Sequence, residues 1–208
     1  MNNKVYLARH GQDEDNANRI LNGHRDRPLT EIGVKQAHEV AEEIKKANIL
    51  FDIILASPLQ RAFRTAEIIA ETTGHAPPIK EELLIERDFG IMTGKPVESI
   101  LEMCKPDVLQ TEHINYFLSP EGAETFPDLI ERGQKILDKV NTLYEDKSIL
   151  LVTHGDMGKM IYCAYYKRDW KEVLELFHFG NSELLLLSED STFEDAHVFK
   201  IQQYNSTK

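Results

Sequence analysis

The sequence predicts an α/β fold, a three-layer α/β/α sandwich with a mostly parallel central sheet. Two observations carry that prediction. Short apolar runs of strand length alternate with longer stretches whose apolar residues recur at helical spacing, and helix caps and turn residues stand at the joints between them. The 208 residues suit a single domain over 1–208, since domains commonly run to about 100–200 residues.

Taken in order, Val5–Ala8 reads as a buried strand followed by a polar loop to about Leu29. Thr30 then caps a helix whose apolar positions are Ile32, Ala37, Val40, Ala41 and Ile44. Ile53–Ala56 is a second strand run. Ser57 as N-cap and Pro58 as first helical residue open a helix that Gly74 stops after Thr73. The stretch from Ile79 to Glu124 is less periodic and is broken by Gly94-Lys95-Pro96, Pro106 and Pro120. It is expected to be an irregular insertion, its part at about 85–124 covering one end of the sheet. From Thr125 the apolar positions Phe126, Leu129, Ile130, Ile136, Leu137, Val140 and Leu143 make a long amphipathic helix, and Ile149–Val152 is the next strand. A helix starts near Gly155, and Glu183–Leu187 and His197–Ile201 look like closing strands.

A formal charge of −11 argues against nucleic acid or an anionic membrane as partner, because both reward a basic face. An anionic ligand must therefore meet a local basic cluster. Cys104 and Cys163 stand far apart and suggest neither a disulfide framework nor a thiolate metal site. No apolar run approaches the ~20 residues of a membrane span, so a cytoplasmic protein is expected.

In open α/β sheets ligands bind outside the carboxyl ends of the strands. Three such ends carry Arg9-His10-Gly11, Ser57-Pro58-Leu59-Gln60-Arg61 and Thr153-His154-Gly155. Two histidines and two arginines from separate places thus converge on one edge. That set suits phosphoryl transfer, which needs forked donors on the equatorial oxygens and a nucleophile that divides the displacement in two. Gly11 and Gly155 leave room for the phosphate to approach the backbone. The leaving alkoxide needs an acid, for which Glu86 in the insertion and Asp156 after the second histidine compete.

The stretches LARHGQ, SPLQRAFRTAEIIA, ERDFG and LVTHGD, in this order between Val5 and Asp156, resemble the histidine phosphatase superfamily, which includes the cofactor-dependent phosphoglycerate mutases. The resemblance implies a phosphoglycerate mutase-like fold. It also implies a nucleophile at His10, phosphate-pocket roles for Arg9, Arg61 and His154, and an acid/base role for Glu86. Asn16, Asn22 and Gly23 are implied to line the pocket. Asp13 stands where the family usually has Ser or Thr, and a carboxylate beside a phosphate is unfavourable unless it is protonated, turned away or paired with a base such as Arg25 or Arg27. Arg64 replaces a frequent Gln and reads as an exposed helix arginine.

The reading that follows is a metal-independent phosphomonoester hydrolase acting through a phosphohistidine on a small phosphorylated metabolite, with no cofactor, as a monomer or homodimer. The alternative is a phosphoglycerate mutase that depends on 2,3-bisphosphoglycerate. Such mutases take extra cations from the insertion, and between Arg87 and Arg132 only Lys95 and Lys105 are basic here. Met92, Met103, Tyr116 and Phe117 are candidates to line a cover over an organic substrate. A non-enzymatic phosphate binder would have no use for a proton donor, and no histidine spacing points to a metal.

Overall fold

The computed structural model describes residues 3–112, 114–176, 179–188, 196 and 198. The strands are β1 (Lys4–Arg9), β2 (Ile53–Ala56), β3 (Ile79–Lys80), β4 (Val108–Gln110), β5 (Asn115–Phe117), β6 (Ser148–Thr153) and β7 (Leu184–Leu187). The helices are α1 (Glu14–Ala17), α2 (Glu31–Lys46), α3 (Gln60–Thr73), α4 (Ile100–Cys104), α5 (Phe126–Leu143), α6 (Gly155–Tyr166) and α7 (Trp170–Leu176). The main sheet has the order β3-β2-β6-β1-β7. All its pairings are parallel except β1 with β7.

The two-residue period of the strands builds the layers. Val5 and Leu7 of β1 face one core with Ile149 and Leu151 of β6 and the apolar stripes of α5 and α6. Tyr6 and Ala8 face the opposite core with Leu150, Val152 and the stripes of α2 and α3. Each fully buried Leu or Ile in these layers contributes about 1.5–3 kcal/mol. Helix ends follow their caps. Thr30 accepts from Gly33 N–H, Thr125 forms a capping box with Asp128, and Gly74 closes α3 at φ 75°.

Several expectations change. The helix after β2 starts at Gln60 rather than behind Ser57, with Leu59 as a cap that has no side-chain hydrogen bond. Asp26 Oδ1 supplies the missing acceptor by taking the Gln60 N–H at 2.7 Å. Ile32 is 55% exposed and Leu143 58%, so neither belongs to its helix's buried stripe. Ile79 is not irregular but opens β3, a two-residue edge strand beside β2. The polar loop after β1 contains the short α1. The insertion holds the β4–β5 hairpin, α4 and a small core of Phe89, Met92, Ile100, Cys104 and Phe117. Met92 and Phe117 are core residues there, Met103 is exposed, and Tyr116 joins the main core. Of the closing strands, the first is Leu184–Leu187. The second, His197–Ile201, lies outside the described residues except for Val198, whose N–H donates to Leu184 O at 3.0 Å. No helix among the described residues is long and apolar enough to cross a membrane.

Candidate active site

Strand order brings the histidines together. β6 lies between β2 and β1, and its register sets Thr153 beside Arg9 and Val152 beside both Ala8 and Ala56. The next residues, His10, Ser57 and His154, therefore leave the sheet side by side. His10 N–H donates to Thr153 O and Ser57 N–H to Val152 O, each at 3.0 Å. The two imidazoles stand 5.0 Å apart between centroids.

His10 is buried, and its Nδ1 lies 2.6 Å from Gly11 O. A carbonyl only accepts, so Nδ1 carries the proton and Nε2 keeps its lone pair. Burial and the Arg61 and Arg9 charges hold the His10 pKa well below the usual imidazole value, so the ring is neutral. His154 is shifted the same way by burial and by Arg61. Ser57 Oγ accepts from Leu59 N–H at 3.3 Å and is hydrogen-bonded to His154 Nε2 at 2.7 Å.

Arg61, the second residue of α3, is fully buried. It donates from Nη1 to Arg25 O at 2.6 Å and from Nη2 to Gly23 O at 2.9 Å, and its Nε stands 3.2 Å from Asp13 Oδ2. Asp13 thus pairs with Arg61 rather than with Arg25 or Arg27. Arg25 instead forks onto Asp15 at 2.7 and 3.2 Å. Asp13 also accepts from Asn16 N–H at 2.6 Å, capping α1, and from Asn22 Nδ2 at 2.8 Å. Asn22 and Gly23 consequently hold the Asp13–Arg61 pair. Arg9 donates from Nη1 to Phe179 O at 2.5 Å. Gly155 abuts the Arg9 guanidinium, whereas Gly11 serves packing, because a Cβ there would run into Gly33 O. Arg64 pairs with Glu67 and Glu71 on the outside of α3.

Glu86 is buried at the start of α6. Its Oε1 accepts from Arg87 N–H at 2.9 Å and Met157 N–H at 3.1 Å, and its Oε2 faces Asp156 N–H at 3.4 Å. Burial first, and then the Asp156 charge, raise its pKa above the ordinary carboxyl value, against the pull of these N–H groups and of Arg61. The Asp156 carboxylate turns away, 3.6 Å from Arg87 Nη1. Arg132 fixes the Glu86 segment by donating to the carbonyls of Leu83, Ile85 and Glu86 while paired with Glu124.

The spacing argument missed Ser57 as a site residue, and it missed Arg132, Asn181 and Ser182. Asn181 Nδ2 donates to His10 O at 2.8 Å and reaches Asn16 Oδ1 at 3.4 Å, while Ser182 N–H is shared by Arg9 O and His10 O. β7 is antiparallel, so the residues before it, not after it, reach the site edge. Among the described residues, the buried side-chain polar atoms without a hydrogen-bond partner are Arg9 Nε, Arg61 Nε, His154 Nδ1, Asn181 Oδ1 and Ser182 Oγ. All five belong to residues around His10; Arg61 Nε faces Asp13 Oδ2 at 3.2 Å, and the other four offer polar atoms that a polar ligand can engage. No group of three or more His, Cys, Asp or Glu among the described residues is placed to hold a metal ion.

The model of the histidine phosphatase superfamily (branch 1) matches residues 5–201. This chain belongs to the histidine phosphatase superfamily. A 2,3-bisphosphoglycerate-dependent phosphoglycerate mutase of Methylobacterium sp. (strain 4-46) is 33% identical over 75% of this chain and 77% of its own. An uncharacterized phosphatase, PhoE, of Bacillus subtilis (strain 168) is 37% identical over 73% of this chain and 71% of its own. Among solved structures, a phosphoserine phosphatase of Entamoeba histolytica in complex with 3-phosphoglyceric acid is similar at TM-score 0.72. It shares 28% identity and covers 89% of this chain and 90% of its own. A mycobacterial glucosyl-3-phosphoglycerate phosphatase solved with VO3 is similar at TM-score 0.74 and 25% identity, covering 89% of this chain and 92% of its own. The superfamily relatives thus include both phosphatases and mutases.

Proposed function

We propose that this superfamily member is a metal-independent phosphomonoester hydrolase acting through a phosphohistidine on a small phosphorylated metabolite. The observation that carries the reading is the buried, neutral His10, protonated on Nδ1 toward Gly11 O and set between the Arg9 and Arg61 charges. The Nε2 lone pair attacks phosphorus as the bond to the ester oxygen breaks, and Glu86 gives its proton to the departing alkoxide. Arg9, Arg61 and His154 meet the charge on the equatorial oxygens. Water then attacks the phosphohistidine, its proton passes to the Glu86 carboxylate, and the phosphorus–nitrogen bond breaks to release phosphate.

Two observations favour hydrolysis over isomerisation. Lys95 and Lys105, the basic residues of the insertion where mutases carry their extra cations, are both exposed. The similar solved structures named above are phosphatases, and one of them holds 3-phosphoglyceric acid. The 33% identical mutase keeps the second reading in view. Phosphorus NMR with 3-phosphoglycerate, trace 2,3-bisphosphoglycerate and a generic phosphomonoester decides between them. Free phosphate in wild type, none in His10→Ala, and no loss in EDTA are expected. Isomerisation to 2-phosphoglycerate with little free phosphate would replace this reading by the mutase one, and full turnover in His10→Ala would end both.

A further inference from the structure

Asp13 and Arg61 form an ion pair in which neither side chain reaches solvent, with Arg61 Nε 3.2 Å from Asp13 Oδ2. Taking two charges out of water is expensive, and such a pair is often no more stabilising than uncharged residues of similar size. Capping α1 does not call for the charge either, because a Ser hydroxyl caps a helix about as well as a carboxylate. What Asp13 adds beyond its shape is a full negative charge, three residues after His10 and against one of the two arginines of the candidate site.

The ionised carboxylate is the form that its surroundings fit. Oδ1 accepts from Asn16 N–H at 2.6 Å, and Oδ2 accepts from Asn22 Nδ2 at 2.8 Å and faces Arg61 Nε. Burial raises the Asp13 pKa, and Arg61 and both donors pull it back. Asp15, the other carboxylate within its reach, is held by the Arg25 fork. Arg61 in turn directs one N–H of each Nη to Arg25 O and Gly23 O, which leaves one N–H on each for a ligand. The neighbouring charges are matched among themselves. Arg87 stands 3.6 Å from Asp156, Arg132 is paired with Glu124, and Glu183 lies within reach of both Arg9 and Lys159. Asp26 also acts on Arg61 but is exposed, where solvent screens it. With His10 and His154 neutral and Glu86 in its acid form, the charges left around His10 are those of Arg9, Arg61 and Asp13. They sum to a single positive charge, which a phosphate dianion exceeds.

We propose that Asp13 is a specificity-determining residue that cancels the Arg61 charge, so that the pocket holds phosphate dianions loosely and releases inorganic phosphate readily instead of being inhibited by it. Arg61 keeps the N–H groups that orient the equatorial oxygens, while the attraction that would hold substrate and product alike is reduced. Uniform binding of that kind lowers KM without speeding the chemical step, so little catalysis is lost with it. The inference rests on the phosphomonoester reading and adds to it how the product leaves.

Calorimetric titration at one ionic strength compares sulfate, a tetrahedral dianion, with methanesulfonate, a tetrahedral monoanion. Asp13→Ser keeps an oxygen at the N-cap of α1 and removes the charge. Sulfate affinity should rise about tenfold in this variant and methanesulfonate affinity about threefold, because Coulomb energy scales with the charge of the ligand. Inhibition of p-nitrophenyl phosphate hydrolysis by inorganic phosphate should strengthen about tenfold in parallel. Unchanged or weaker sulfate binding, or equal gains for the two anions, overturns the proposal, since a merely structural change would not follow ligand charge. If circular dichroism shows Asp13→Ser unfolded, Asp13→Asn is titrated in its place under the same criterion. The wild type supplies a test without any variant. Its affinity for sulfate should exceed that for methanesulfonate by about tenfold or less, and a larger preference overturns the proposal. Failure of the hydrolase reading shows separately, as no phosphate release from glycerol 3-phosphate by the wild type, while the titrations still report on Asp13.

Discussion

Replacing Glu86 by Gln separates the chemistry of the acid from its place at the start of α6. The amide oxygen can keep the position of Oε1, with its hydrogen bonds from Arg87 N–H at 2.9 Å and Met157 N–H at 3.1 Å. The amide nitrogen then faces Asp156 N–H, the longest contact of the three at 3.4 Å. Two donors then face each other, which costs about 1–3 kcal/mol, and removing a buried carboxyl beside Asp156 offsets part of it. Thermal unfolding should therefore show an equal or slightly lower Tm. Catalysis should change far more, because a positioned general acid contributes about 10²–10⁴-fold. For glycerol 3-phosphate, whose alkoxide needs a proton, kcat/KM should fall by about that factor. For p-nitrophenyl phosphate, whose leaving group departs as a stabilised anion, the loss should be about tenfold or less. The pH profile adds an independent readout. Burial and Asp156 raise the Glu86 pKa, so the protonated acid persists to higher pH. Activity on the alkyl ester falls as pH rises through that value, and Glu86→Gln should lack this limb. Equal losses on both esters, with the alkaline limb still present, would refute the assignment and return the acid role to another group.

Two further predictions concern stability. Gly33→Ala improves intrinsic helix propensity by about 1 kcal/mol, yet its Cβ would collide with the Gln12 backbone oxygen. A net loss of about 2 kcal/mol or more is expected in denaturant unfolding, and a stabilised variant would show that the loop behind His10 gives way freely. His75 donates from Nδ1 to Thr73 Oγ1 at 2.5 Å and accepts from Phe51 N–H on Nε2 at 2.8 Å, and burial lowers its pKa. The unfolded chain therefore takes up this proton first. The contribution of His75 is full above the unfolded value of about 6.5 and is lost as pH falls below it toward the depressed folded value. The Tm difference between wild type and His75→Ala should narrow between about pH 7.5 and about pH 5, and a constant or widening gap would disprove the neutral-acceptor role.

Much of the candidate site was legible locally. Arg9-His10, Arg61 and His154-Gly155 each follow or adjoin a strand whose end an apolar run announces, and parallel strands all present that end at one edge. Caps at Thr30 and Gly74 were equally readable, because they depend on neighbours within one turn. Helix faces were read less well at their ends: Ile32 fits the apolar spacing and is still exposed, since spacing says which residues share a face but not how far the opposing layer extends.

By itself the sequence determined the alternation of strands and helices, the basic cluster in an acidic chain, and the residues that resemble a phosphohistidine site. Those features depend on short-range geometry, which residue order records directly. Only the tertiary structure decided that Asp13 neutralises Arg61, that Ser57 serves His154 rather than capping a helix, and that Asn181 and Ser182 clamp His10 from the start of an antiparallel strand. It also decided that Lys159 is buried against Tyr116. These pairings join residues distant in the chain, and their partners are selected by the sheet order and by the cost of burying a polar group alone.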